Sequence, residues 1–163
     1  MSGPELHPDV ADLGFLLGSW SGGGTGRYPT IDTFSYGEEV VFAHVGKPFV
    51  SYAQRTWSVP ERRPLHSETG YLRMAGPGRP ELVLAQPSGV VEVHTGTLTD
   101  AVVSLSAVLV GRTPTAKEVT AVERVLRVDG DVLSYRVRMA AVGQPLQDHL
   151  EGQLHRTGVR LGT

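Results

Sequence analysis

The sequence predicts an all-β fold, a single antiparallel up-and-down barrel of about ten strands. Three observations carry that prediction. Runs of β-branched and aromatic residues recur roughly every ten residues, with turn residues between them. Asp129-Gly130 separates two such runs and is a strong two-residue hairpin signal. Finally, that many strands within 163 residues favour closure, because closure removes exposed edges.

The elements follow in chain order. Residues 1–9 hold Pro4 and Pro8 and read as a loose tail, ahead of one barrel domain over residues 10–163. Asp9 to Leu17 predicts one or two helical turns, capped by Asp9 or Asp12. From Ser19 onward the signal is β. Glu38 to Val45 and Phe49 to Trp57 flank the break Gly46-Lys47-Pro48 and form a hairpin. Leu65 to Met74 ends at Gly76-Pro77-Gly78, and Glu81 to Ala85 ends at Pro87-Ser88-Gly89. Val90 to Leu98 comes next. Ala101 to Val110 alternates, with Val103, Leu105, Ala107 and Leu109 on one face. Lys117 to Val128 and Val132 to Val142 are the strands around Asp129-Gly130. The last element, Gln147 to His155, is ambiguous, since Leu146, Leu150 and Leu154 suit a helix or a strand. We read a strand, with His149 and His155 together on its other face.

Composition excludes several classes of function. There are no cysteines, which rules out disulfides, thiolate zinc sites and cysteine-ligated haem. Met1 to Pro8 has neither a basic nor an apolar region of the secretory kind, and no apolar run is long enough for a membrane helix. A net charge of -2 with scattered basic residues argues against nucleic acid as a partner. The expectation is a cytoplasmic protein without a membrane partner, either monomer or homodimer.

The most specific segment is Leu17-Gly18-Ser19-Trp20-Ser21-Gly22-Gly23-Gly24-Thr25-Gly26-Arg27-Tyr28-Pro29-Thr30-Ile31. Gly22, Gly24 and Gly26 fall on one face of one strand, and a face without side chains admits another backbone or a flat ligand. This segment resembles the signature of the nitrobindins. Further blocks resemble the same family, among them Phe34 to Glu39, His44 to Phe49, Pro64 to Tyr71, Gln86 to Glu92, Pro114 to Val119 and Met139 to Leu150. Together they span nearly the whole chain, and the likeness is greatest to actinobacterial members. It implies a ten-stranded barrel related to fatty-acid-binding proteins, which holds haem b through one histidine. It also implies isomerisation of peroxynitrite to nitrate, and nitric oxide as a second ligand.

Six histidines are candidate iron ligands: 7, 44, 66, 94, 149 and 155. His7 reads as a solvated tail residue and His94 as a surface strand residue. His44 and His66 read as packed histidines donating to nearby carbonyls. His149 and His155 lie six residues apart, about 20 Å on a strand, so they cannot share one iron. The residues alone do not choose between them. The resemblance does, because His149 within Gln147-Asp148-His149-Leu150 matches the family's ligand. It also marks Thr30 as lining the haem pocket and Lys117 as a cation suited to a haem propionate. Trp20 matches a barrel-plugging tryptophan. Two other readings stay open: a nitric oxide carrier or sensor without catalysis, and a haem-free barrel for an apolar ligand.

Overall fold

The structure is a computed structural model and describes residues 2–158. A short 3-10 helix, Pro8–Leu16, precedes ten strands: β1 Gly18–Tyr28, β2 Ile31–Ala43, β3 Val50–Ser58, β4 Pro64–Gly76, β5 Arg79–Ala85, β6 Val90–Thr99, β7 Val102–Arg112, β8 Val119–Asp129, β9 Val132–Ala141 and β10 Gln147–Arg156. Each strand pairs antiparallel with its chain neighbours, and β1 pairs with β10 to close the barrel. The predicted architecture is therefore the observed one, and the ambiguous last element is a strand. The 3-10 helix begins inside the supposed tail, and its N-cap is His7, not Asp9 or Asp12. His7 Nδ1 accepts the Asp9 amide proton at 3.2 Å.

One end of the barrel is sealed. Val10, Leu13 and Leu16 on the helix pack with Trp20, Phe42, Val50 and Leu154 in the apolar core. Trp20 Nε1 donates to the Leu16 carbonyl at 2.9 Å, so the buried indole leaves no polar atom unpaired. The Arg156 guanidinium lies 4.1 Å from the Trp20 ring centre and donates to the carbonyls of Leu17 and Phe15. Trp20 is thus the structural plug expected.

Two irregularities redirect the strands toward the opposite, open end. In β6–β7 the register shifts between Val93 and His94, which leaves Val108 as the extra residue. The alternation predicted for β7 fails there: Val103 and Leu105 are buried, but Leu109 is 53% exposed and Val108 65%. Beyond this point β7 and β8 part, since their pairing covers only Val102–Ser106.

The glycine strand has a different purpose from the one its spacing suggests. A Cβ on Gly24 would lie 2.5 Å from the Tyr36 hydroxyl, and one on Gly26 would lie 2.3 Å from the Phe34 ring. One on Gly152, the direct partner of Gly24, would lie 2.5 Å from the Tyr135 ring. Tyr36 is in turn the partner of Gly24, and Tyr135 of Gly152. Four adjacent strands therefore read Tyr36, Gly24, Gly152, Tyr135. The two tyrosines lean over the two glycines, and their hydroxyls meet in a short hydrogen bond. Gly22 is closed off too, with the Gln153 carbonyl oxygen 2.2 Å from its missing Cβ. The bare face admits tyrosine rings and a tightly coiled neighbouring strand, so at these positions it does not remain open to a flat ligand.

This arrangement generates a stability prediction. Gly24→Ala places a methyl within 2.4 Å of the Glu151 carbonyl oxygen as well as against Tyr36, and so forces the strands apart. It should destabilise the fold by roughly 1–3 kcal/mol, the usual cost of overpacking. Gly130→Ala meets no neighbour but sits at φ +58, so it should cost only about 1 kcal/mol through backbone strain. Urea unfolding of both variants checks the order.

Candidate functional site

The strand order puts the end of β1, the starts of β2, β4, β8 and β10, and the end of β9 around the open mouth. Below it lies a cavity of about 640 Å³, in the range of small-ligand and cofactor sites. Ile31, Phe34, Leu65, Val119, Met139 and Leu150 line it with apolar surface, joined by His66, Lys117, Arg136 and His149.

His149 reaches the cavity because of a β-bulge. In β10–β9, Asp148 pairs with Arg138 and Leu150 with Val137, so His149 has no partner of its own. Such an extra residue breaks the alternation, and His149 and Leu150 both line the cavity. The sequence expectation that His149 and His155 share a face is thereby corrected. His155 is exposed and follows the regular outward parity of Glu151 and Gln153.

The segment that carried the family signature holds the His149 ring. Its Nδ1 lies 3.0 Å from the Arg27 carbonyl oxygen. Only a protonated Nδ1 can donate there, which leaves Nε2 with its lone pair in the neutral ring. The Tyr28 ring stands edge-on to His149 at 5.4 Å and 77°. Tyr28 is itself fixed: its hydroxyl accepts from the Ala141 amide at 2.8 Å and donates to the Met139 carbonyl at 3.1 Å. Burial lowers the His149 pKa; the Arg27 carbonyl opposes this, and nearby His66 and Arg124 add to the lowering. The product is a neutral, oriented imidazole at the mouth of an apolar cavity, which is what a metal or haem iron requires.

The other predicted residues separate. Lys117 lines the cavity. Thr30 is exposed in the β1–β2 turn, and its neighbour Ile31 faces the cavity instead. Gly22, Gly24 and Gly26 are not in the lining. His44 Nδ1 accepts from the Gly46 amide at 3.2 Å and does not donate to a carbonyl. His66 Nε2 lies 3.3 Å from a Glu68 oxygen, at the cavity wall. His94 is the clearest correction: it is 0% exposed, inside the barrel, because it shares inward parity with Val90 and Glu92.

The sequence reading missed a belt of buried polar residues at mid-barrel. Arg124 donates to Glu68 Oε1 at 2.6 Å and Oε2 at 3.2 Å, and to both oxygens of Glu92 at 3.1 Å. Glu68 also accepts from the Tyr52 hydroxyl at 2.7 Å, and Glu92 Oε1 lies 2.7 Å from His94 Nε2. Burial alone would raise both carboxyls, but Arg124 together with the hydrogen bonds of His66 and Tyr52 to Glu68 and of His94 to Glu92 outweighs it and holds them below the usual carboxylate range. Polar residues at even strand spacing (Glu38, Gln54, Glu68, Glu92, Arg124) were the available signal, hidden because inward and outward faces cannot be told apart where both carry charges.

Glu38 behaves in the opposite way. It is 1% exposed, and burial lifts its pKa to about 7 despite the Gln54 hydrogen bond. Its folded pKa thus lies above the ordinary 4.5, so the folded protein holds this proton more tightly than the unfolded chain. Ionising it costs stability progressively between about pH 4.5 and 7, and the cost is full above that. The Arg124 carboxylates contribute stability that is present above the ordinary carboxylate pKa and lost below it, toward their depressed values. Glu38→Gln should therefore leave stability near pH 4 almost unchanged and raise it at pH 8 by roughly 1–3 kcal/mol. Thermal melts of both proteins at the two pH values test this.

Comparisons with known proteins accord with this geometry. The family described as "THAP4-like, heme-binding beta-barrel domain" matches residues 9–156. Peroxynitrite isomerase 2 of Mycobacterium avium (strain 104) is 58% identical over 156 residues, covering 93% of this chain and 97% of its own. Peroxynitrite isomerase 1 of Mycolicibacterium paratuberculosis (strain ATCC BAA-968 / K-10) is 57% identical with the same coverage. The crystal structure of Rv2717c from M. tuberculosis superposes with a TM-score of 0.89 at 56% identity, covering 94% of this chain and 100% of that one. With a closed ten-strand barrel, a cavity at its mouth and matches along nearly all its length, this chain belongs to the THAP4-like haem-binding β-barrel family, the nitrobindins.

Proposed function

We propose that the protein binds one haem b through His149 and isomerises peroxynitrite to nitrate, with nitric oxide as a further ligand. The observation that carries this reading is the His149 imidazole, swung into the cavity by a bulge and oriented through Nδ1 by the Arg27 carbonyl. Its depressed pKa supports the same role, because the ring stays neutral and able to ligate further into acid. The names of the mycobacterial relatives point to peroxynitrite as the substrate.

Ferric haem at this site would supply a Lewis-acidic, redox-active iron at which peroxynitrite rearranges to nitrate, its isomer, with no atom gained or lost. The chain's own residues do the rest. His149 binds and Arg27 fixes its tautomer, while the Tyr28 ring braces its plane. Lys117 and Arg136 place cations in the cavity lining that suit the haem propionates. Phe34, Leu65, Val119 and Met139 keep water away from the group and offer no hydrogen-bond donor. The haem-free reading with a fatty-acid carboxylate is disfavoured, because the buried Arg124 is already shared by Glu68 and Glu92.

His149→Ala should lose most haem affinity, at least about tenfold given what even outer-shell partners of such ligands contribute. His155→Ala should keep the Soret band. Loss of that band in His155→Ala alone would show that the wrong histidine has been assigned. The ferric holoprotein should also protect added free tyrosine from peroxynitrite-driven nitration and raise the nitrate yield, whereas His149→Ala should do neither. If the holoprotein binds nitric oxide but leaves nitration unchanged, the carrier or sensor reading replaces catalysis.

A further inference from the structure

The donors and acceptors of the mid-barrel belt do not balance. Glu38 Oε2 accepts from Gln54 Nε2 at 2.7 Å, but Glu38 Oε1 and Gln54 Oε1 are buried with no hydrogen-bond partner. Both side chains line the cavity. Native interiors seldom leave such atoms unpaired, because each costs the desolvation of a polar group. Most neighbouring donors are committed: Arg124 to Glu68 and Glu92, the Tyr52 hydroxyl to Glu68, and Gln54 Nε2 to Glu38 itself. The Tyr36 and Tyr135 hydroxyls bond each other, and the one proton that pair leaves over bears on Glu38 without meeting Oε1 at hydrogen-bond geometry, while Gln54 Oε1 has no donor at all. His94, across the belt, directs Nε2 to Glu92 and leaves Nδ1 as another unpaired atom.

Charge is unbalanced in the same sense. The carboxyls of Glu38, Glu68 and Glu92 face one guanidinium, that of Arg124. We propose that this belt is a second binding site, below the His149 mouth, for a small organic cation: a primary ammonium on an apolar stem, received by Glu38 Oε1 and Gln54 Oε1. An ammonium supplies the missing donors and the missing positive charge together. An anionic head group would instead meet three carboxyls and no free cation. Among the described residues no group of three or more His, Asp or Glu side chains could hold a metal ion, so the cation has to carry its own directed N–H groups. Val40, Leu72, Leu82, Val103, Leu105 and Leu126 line the same cavity and match the apolar stem. Without a ligand, Glu38 has one other way to pair the two oxygens: it takes up a proton and gives it to Gln54 in an acid–amide pair.

The test is calorimetric titration of the full-length chain freed of haem, at pH 8, with n-hexylammonium, 1-hexanol and hexanoate. Hexylammonium should bind one per chain and about tenfold or more tighter than hexanol, the weight of a charge-assisted hydrogen bond in a buried site. Hexanoate should be the weakest of the three. Glu38→Gln should remove the advantage of hexylammonium and leave hexanol binding unchanged, which also shows that the variant is folded. In the wild type, hexylammonium should move the side-chain amide resonances of Gln54, whereas hexanol should not. Equal affinity for hexylammonium and hexanol would overturn the proposal in favour of the acid–amide pair, as would tighter binding of hexanoate. A full ammonium advantage in Glu38→Gln, or an unmoved Gln54 amide, would also overturn it.

Discussion

The guanidinium of Arg124, shared between Glu68 and Glu92, is the interaction on which the interior depends. It reaches from β8 to β4 and β6 and ties separate parts of the barrel wall together. Eight strands already leave an interior just wide enough for side chains to fill, and ten leave more. The chain fills only the sealed end with apolar residues and spans the middle with charged ones. Such a buried network adds little net stability over a well-packed apolar substitute, yet removing one member strands the others at about 3–5 kcal/mol. What it provides is a chemical character: a middle layer whose one guanidinium is fully engaged, with an apolar chamber above it.

Two local departures from regular strand geometry then make the site. The bulge at His149 turns one histidine inward on a strand where Glu151, Gln153 and His155 point out. The Gly24–Gly152 pair lets Tyr36 and Tyr135 meet across two intervening strands, a span that rings could not cross over side chains. Tyr28, at the end of the same glycine strand, pins β9 through two backbone groups and braces His149. One segment therefore serves both layers of the interior: its glycines make room at mid-barrel, and Arg27 and Tyr28 orient the imidazole at the mouth.

These features set the interior of this barrel apart from one built for a fatty acid. A carboxylate carrier needs an uncommitted buried cation, and Arg124 is not one. A haem needs a neutral nitrogen ligand, apolar walls and cations near its propionates, and the open end offers His149, the apolar lining, and Lys117 with Arg136. The acid–base character of the interior follows from the same belt. Glu68 and Glu92 stay ionised because a guanidinium faces them, while burial lifts Glu38, which forms no ion pair with Arg124, to about pH 7.

By itself the sequence determined the architecture. Strand spacing and the Asp129-Gly130 turn are local signals, written in propensity and periodicity, closure follows from the number of strands, and the plug at Trp20 is read from likeness to other barrels. It also determined the family, through the segment from Leu17 to Ile31 and the blocks after it. Only the tertiary structure decided which way particular side chains face. A strand's parity holds until a bulge resets it, and the bulges at His149 and Val108 leave no mark in the alternation of residue types. Hence His149 and His155 looked equivalent on one face, Leu109 looked buried and His94 looked exposed. The partners of Arg124 were likewise illegible, because they lie 56 and 32 residues away along the chain and meet only when the sheet curls shut.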